Sequence, residues 1–249
     1  MPYHIGQQII RLDEIDSTNT YLLNHPEHLS HPGLVVITAR QTAGKGRLGR
    51  RFVSLADKNL TFSIAIHPSV SMESIGIYSL LAGIGVARAL EPLLEKTPRL
   101  KWPNDILIGT RKICGILLES TSLKNQIVLV MGIGVNCLGQ PEDYPEDLQS
   151  IVTTMAQEST RKIEMESVFQ QILTHLNAVL DQFDQQGSSF LLEEWLVRAS
   201  ALNQPARYQT QNGWSEGVIE QLSPEGYLLI RTPEGTLIPH ISGDVQYIG

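Results

Sequence analysis

The chain of 249 residues has little cysteine, few aromatics and a shortage of positive charge. Its two cysteines, Cys114 and Cys137, stand far apart inside apolar runs. That spacing excludes a disulfide framework, a redox pair and a cysteine-built zinc site, and it predicts buried thiols in a reducing compartment. Lysine and arginine number 19 against 26 acidic residues, a formal net charge of -7. Such a balance does not suit a chain that coats nucleic acid or an anionic membrane. No apolar run reaches the ~18 residues of a membrane span. Met1 to Ile10 has no basic segment leading into an apolar one, so no secretion signal is expected. Repeats and low-complexity segments are absent as well. These absences predict a cytoplasmic protein with neither membrane nor DNA as a partner. What is present, 42% hydrophobic residues, suffices for one sizeable core and a small appendage.

Against the acidic background, one stretch inverts the sign. Residues 41 to 52 read Gln-Thr-Ala-Gly-Lys-Gly-Arg-Leu-Gly-Arg-Arg-Phe, so Gly44, Gly46 and Gly49 alternate with Lys45, Arg47, Arg50 and Arg51. Glycine lets a backbone approach a ligand with no Cβ in the way, and exposed N–H groups beside fixed cations suit a phosphate. The stretch also spells the dinucleotide fingerprint Gly-x-Gly-x-x-Gly. That motif needs a strand before it, a helix opening inside it and an acid about 20 residues on. Leu34 to Ala39 supplies the strand, but residues 52 to 59 show no helical period. A Walker loop is excluded because no Gly-Lys-Ser or Gly-Lys-Thr occurs here, and a kinase loop because Arg51 stands where Val is needed.

The rest of the chain predicts elements on which further polar residues sit. Gln7 to Ile15 alternates as a strand, and Asp16 or Ser17 caps a helix beginning near Thr18. Ser17, Thr18 and Asn19 are either a cap alone or a polar cluster for a neutral ligand. His25, His28 and His31 are read as a solvated loop, since Pro26 and Pro32 break any helix that would align them on a metal. Leu60 to Ile66 is the strand leaving the glycine loop, and Ser74 to Glu95 shows a helical face at 77, 80, 81, 84 and 87, with Gly83 and Gly85 permitting close packing on a sheet. Leu100 to Ile108, Lys112 to Glu119 and Ile127 to Asn136 read as near-continuous apolar strands. They carry Lys101, Asn104, Asp105 and Lys112, and Lys112 has no acid near it in sequence; a lysine leading a buried strand is costly unless an anion meets it. Glu164 to Gln186 is the clearest amphipathic helix, ended by Gly187, and a second helix covers Phe190 to Leu202. Beyond Asn203 the turn signals Asn212-Gly213, Pro224-Glu225-Gly226 and Pro233-Glu234-Gly235 separate four or five short strands of a small barrel.

Five motifs in this order resemble those of the biotin–protein ligases. They are Ser17-Thr18-Asn19, Gln41 through Arg50, Lys101-Trp102-Pro103-Asn104-Asp105, Lys112 through Glu119, and Gly132-Ile133-Gly134-Val135-Asn136. The likeness runs from Leu12 to the C-terminus. It implies an α+β fold similar to class II aminoacyl-tRNA synthetases and biotinyl-lipoyl ligases: a mixed sheet flanked by helices over residues 1–202, then a Src-homology-3-like barrel over 203–249. It implies that biotin and ATP, with Mg²⁺, give biotinyl-5′-adenylate, and that biotin then passes to a lysine of a biotin carboxyl carrier protein. Biotin contacts are implied at Ser17, Thr18, Asn19, Gln41, Lys45, Gly46, Arg47, Lys112 and Gly115. ATP and adenylate contacts are implied at Arg47, Arg50, Arg51, Phe52, Trp102, Asn104, Lys112 and Asn136, the last toward adenine. Lys112, Arg47 and Asp105 would carry the chemistry, with Asp105 either a Mg²⁺ ligand or the acceptor of the incoming lysine's proton. Two positions depart from the pattern: many relatives have Arg at Lys45 and Trp at Phe52.

Some bacterial relatives carry an N-terminal winged helix that binds DNA; about eleven residues precede the likeness here, so no repressor role is expected. Homodimerisation through the sheet is a further expectation. The rival readings are a lipoate–protein ligase of the same fold, a dinucleotide-dependent oxidoreductase and a DNA-binding biotin sensor.

Overall fold

The structure, a computed structural model, describes residues 3–248. Seven strands form one mixed sheet: β1 (Ile9–Ile15), β2 (Val35–Gln41), β3 (Asn59–Ile66), β4 (Arg99–Lys101), β5 (Asp105–Ile108), β6 (Arg111–Leu123) and β7 (Gln126–Asn136). Their order is β1-β2-β3-β7-β6-β5-β4, with β1 and β2 parallel and the other neighbours antiparallel.

The register of the central strands decides where a ligand can sit. Asn59, Thr61 and Ser63 of β3 face Asn136, Gly134 and Gly132 of β7, and Gly115 and Leu117 of β6 face Gly134 and Gly132. Side chains alternate across a sheet, so these residues share one face. Leu60, Phe62, Ile64, Met131, Ile133, Val135, Cys114 and Ile116 share the other, inside the main core. The expectation of near-continuous apolar strands is therefore corrected in part: beside the cavity the hydrophobic positions alternate with glycine and small polar residues, while at the other end of the sheet Val36, Ala65, Val128 and Val130 make both faces apolar.

Helices α1 (Thr18–Asn24) and α2 (Pro26–Leu29) cover part of the polar face, where Leu22 and Leu29 pack on Val36, Ala65, Val128 and Val130. The remainder of that face is left open. On the apolar face lie α3 (Ile77–Leu90) and, beyond the short α4 (Glu146–Gln149) and α5 (Met155–Glu158), the long α6 (Met165–Gln186) and α7 (Ser189–Arg198). Helix α6 buries Val168, Phe169, Ile172, Leu173, Leu176, Val179, Leu180 and Phe183, the stripe its periodicity predicts. Helix α3 differs from its expected single face: Arg88 alone of its residues is not buried, because the sheet lies on one side and α6 on the other. The helical stretch Met72–Leu93 matches a membrane span in length and hydropathy alone, and 72% of its most apolar 18-residue window is buried inside the fold. It is a core helix. Gly85 lets α6 approach, since a Cβ there would stand 3.2 Å from Leu176 Cα; Gly83 would meet Leu100 only at an ordinary 3.5 Å.

The histidine segment is more ordered than a loop. Pro26 opens α2, and the rings of Tyr21, His25 and His28 stack, with centroids 4.1 Å apart for Tyr21–His25 and 5.6 Å for His25–His28. No group of three metal-ligating side chains occurs among the described residues.

The C-terminal strands β8 (Pro205–Thr210), β9 (Gly213–Leu222), β10 (Leu228–Arg231), β11 (Leu237–His240) and β12 (Val245–Tyr247) form an antiparallel sheet in the order β11-β10-β9-β8-β12. Gly213, Gly226 and Gly235 occupy its turns at positive φ, as the turn signals require. This sheet is tied to the first at the β4–β5 turn. Trp102 donates its indole N–H to Gly226 O at 3.2 Å, and its ring packs 5.2 Å from His240.

Candidate active site

The open part of the polar face is the floor of a cavity of about 940 Å³, within the range of small-molecule sites. All the residues at which ligand contacts are expected line it: Ser17, Thr18, Asn19, Gln41, Lys45, Gly46, Arg47, Arg50, Arg51, Phe52, Trp102, Asn104, Asp105, Lys112, Gly115 and Asn136. Three glycines make that floor bare. A Cβ at Gly132 would overlap the Asn19 amide, one at Gly134 the Phe52 ring, and one at Gly115 would stand 2.8 Å from Lys112 Nζ.

One end of the cavity is neutral and hydrogen-bonded throughout. Ser17 caps α1, its hydroxyl accepting from Thr20 N. Gln41 Oε1 accepts from Thr18 N at 2.8 Å, and Ser63 Oγ lies 2.6 Å from both Thr18 Oγ1 and Asn19 Oδ1. The Asn19 amide donates to Glu119 at 2.8 Å. Thr18, Asn19, Gln41 and Ser63 are buried. Buried polar groups must be paired, so this cluster is costly to build and is held rigid once built.

Lys112 stands near the middle. Sequence reading left it without an acid; the hairpin between β5 and β6 folds Asp105 back to 2.6 Å from its Nζ. The lysine is thus held in place and still partly open, at 32% side-chain exposure. Its main chain is clamped as well: Lys112 N donates to Ile151 O at 2.8 Å, Thr153 N donates to Lys112 O at 2.9 Å, and the Asn136 amide donates to Thr153 O and Lys112 O. Asn136 Oδ1 accepts from Asn59 at 2.8 Å. Asn136, the expected adenine contact, therefore has its amide engaged and braces the main chain of Lys112. Cys114, next along β6, is buried, and burial pushes its thiol pKa far up, so it is inert.

The glycine loop closes the other end. Arg47 Nη1 donates to Asn104 Oδ1 and Nη2 to Gly243 O, each at 3.4 Å. Burial lowers its guanidinium pKa, with Asp244 and Asp105 opposing that shift. Arg50 pairs with Asp244, and Lys45 lies 3.8 Å from Glu119. Arg51 turns back to donate to Thr42 O at 2.6 Å. Trp102, expected at the nucleotide, is buried with its N–H spent on Gly226, so only its ring serves the cavity wall.

Sequence reading missed four contributions. Ser63 sits in a strand that reads simply as alternating. Glu119 was read only as the end of a motif. The 144–152 segment and Asp244 through Ile248 line the cavity from afar in the chain, and no local signal marks them.

The family model described as "Biotin/lipoate A/B protein ligase family" matches residues 12–136, half of the chain and most of the cavity lining. The chain belongs to that family. Its relatives among curated proteins include the bifunctional ligase/repressor BirA of Bacillus spizizenii, 30% identical over 232 residues, which are 93% of this chain and 71% of that protein. The biotin–[acetyl-CoA-carboxylase] ligase of Paracoccus denitrificans is 30% identical over 228 residues, covering 90% of this chain and 94% of that one. Among solved structures, the biotin protein ligase from Aquifex aeolicus in complex with biotin and ATP superposes with a TM-score of 0.84 at 27% identity, over 97% of this chain and all of that one. Membership makes the protein a ligase and bears out the mixed α+β fold read from its motifs.

Proposed function

We propose that the protein is a biotin–protein ligase that activates biotin with ATP and delivers it to a carrier lysine. One observation carries the reading: a single cavity joins a buried, neutral, hydrogen-bonding end to a cationic loop, with Lys112 between them. A neutral ureido ring fits the first end and a phosphate the second.

In the first step a carboxylate oxygen of biotin attacks the α-phosphorus of ATP. The bond to the bridging oxygen breaks, and pyrophosphate leaves with that electron pair. Negative charge gathers around one phosphorus, so fixed cations and N–H groups supply the rate. Lys112 has three donors on an ammonium ion-paired with Asp105, and those that face the cavity serve the carboxylate and the α-phosphate. Arg47 and the Gly46 backbone cover the same atoms, with Lys45, Arg50 and Arg51 around them. Ser17, Thr18, Asn19 and Gln41 receive the ureido ring above Gly115, and Phe52, Trp102, Asn104 and Asn136 form the nucleotide wall. In the second step the amine of the acceptor lysine attacks the acyl carbon, AMP leaves, and the ammonium proton passes to a base. Magnesium that accompanies a nucleotide asks for one or two carboxylates besides the phosphates. Asp105 is the carboxylate that lines the cavity beside Lys112, and it can serve either that ion or the proton.

Lipoate–protein ligase is the alternative within the family. Lipoate has no ureido group with which to pair the buried cluster, which favours biotin. Calorimetric titration with each compound decides: biotin binding in the micromolar range or tighter with lipoate undetected supports the reading, and preference for lipoate overturns it.

A further inference from the structure

Given the biotin reading, one carboxylate outside the expected contact set controls how the pocket reads its ligand. Glu119 Oε2 accepts from Asn19 Nδ2 at 2.8 Å, and Leu117 O lies on the same side of that amide at 3.4 Å. A carboxylate and a carbonyl can only accept, so the Asn19 NH₂ must face them and Asn19 Oδ1 must face the other way. There Oδ1 meets Ser63 Oγ at 2.6 Å, and a carbonyl oxygen can only accept. The single Ser63 proton is therefore spent on Asn19. The Thr18 hydroxyl proton has two acceptors in reach, Ser63 Oγ at 2.6 Å and Gln41 Oε1 at 3.1 Å, and with the Ser63 proton on Asn19 the shorter contact takes it. Gln41 Oε1 is occupied by Thr18 N–H, so Gln41 turns its NH₂ toward the cavity. The chain of five side chains has one direction. It ends on Thr18 Oγ1, which keeps a lone pair to accept beside its contacts to Ser63 and Gln41, and on the Gln41 Nε2 donor.

We infer that Glu119 is a positioning residue that fixes this direction, so that the pocket selects a ligand presenting N–H beside C=O, the edge of a cyclic urea. Without an acceptor at 119, the Asn19 amide can turn over, Ser63 then donates to Thr18, and one of the Thr18 lone pairs is lost. An ion pair with Lys45, 3.8 Å from Glu119 Oε1, is the competing role for this carboxylate, and it predicts different variants to fail.

The test is titration of the full chain with free biotin in a calorimeter, for the wild type and Glu119→Gln, Glu119→Leu, Glu119→Lys and Ser63→Ala. Glutamine still accepts, so it should hold biotin within about threefold of wild type. Leucine should lose about tenfold, as should Ser63→Ala, and lysine, which can only donate, about a hundredfold. In steady state the loss should appear in KM for biotin, with KM for ATP and kcat nearly unchanged. Biotin binding by Glu119→Lys or Ser63→Ala at wild-type strength overturns the inference. So does a Glu119→Gln protein as weak as Glu119→Leu, since charge on Lys45 and not hydrogen-bond direction would then be at work. Thermal melts report whether each variant is folded. Should Glu119→Lys fail to fold, Ser63→Ala decides alone. Failure of the wild type itself to bind biotin would overturn the functional reading and this inference with it, whereas the variant outcomes above overturn this one alone.

Discussion

At the residue scale, Lys112 and the glycines around it divide the labour of the site. Lys112→Ala should cut pyrophosphate release from biotin and ATP by about 10²–10³, the usual effect of removing one charge-stabilising donor. The fold should survive, because the Asp105 partner left behind is still partly open to water. Release at the wild-type rate would remove Lys112 from the mechanism. Two of the glycines separate catalysis from ligand binding. A Cβ at Gly115 presses on the far end of the Lys112 side chain, at Nζ 2.8 Å and Cε 2.9 Å, and meets Asp105 Oδ1 at an ordinary 3.9 Å. Gly115→Ala should therefore lower kcat with little change in Tm, whereas Gly132→Ala, which collides with the Asn19 amide, should abolish biotin binding in a titration.

At the element scale, the helices show what periodicity can and cannot reveal. Helix α6 was legible in full because water lies along one side of it, so its apolar stripe repeats at 3.6 residues. Helix α3 was legible as a helix and misread as one-faced, because an element enclosed on both sides has no polar face to set its phase. The opposite error befell β6 and β7. Their glycines read as apolar, yet they face a ligand cavity and not the core. The loop and its motifs were legible as a site because cations and glycines are rare together in an acidic chain. The partners Ser63, Glu119 and Asp244 were not, nor was the pairing of Asp105 with Lys112, since each reaches its neighbour through register or through the second sheet. Gly85→Ala should destabilise the protein by about 1–3 kcal/mol in chemical denaturation, as the new Cβ presses on Leu176 backbone, and Gly83→Ala should cost much less. Equal effects would mean that α3 and α6 are not packed as described. The glycine loop offers another check at this scale. Lys45, Arg47, Arg50 and Arg51 are all trypsin sites, and biotin plus ATP should slow cleavage there sharply if the loop closes over the adenylate. The same rate with and without ligands would show that it is not a lid.

At the scale of the whole molecule, the two sheets meet through His240. It packs against Trp102 at 5.2 Å and Tyr208 at 5.6 Å, with Nε2 unpartnered among the described residues. Burial, then the nearby Arg47, lowers its pKa below the ordinary histidine value. The folded state is thus slower to take up the proton than the unfolded one. Stability contributed by the neutral ring is present above the unfolded pKa of about 6.5 and is lost as pH falls below it. Calorimetric Tm should drop between pH 7.5 and 5.5, and His240→Phe, which keeps an aromatic ring there, should flatten part of that slope; His175, lowered in the same direction by burial, accounts for some of the rest. An unchanged slope in the variant would place the acid sensitivity elsewhere.

The joining of the two sheets around one cavity matters because of what that cavity is proposed to do. The most direct measurement is the intact mass of a biotin carboxyl carrier domain after incubation with the protein, ATP and biotin. The account predicts a gain of one biotinyl group on a single carrier lysine, dependent on ATP and lost with Lys112→Ala. A carrier whose mass is unchanged while the wild-type protein is folded and binds biotin, or one modified without ATP, would contradict it.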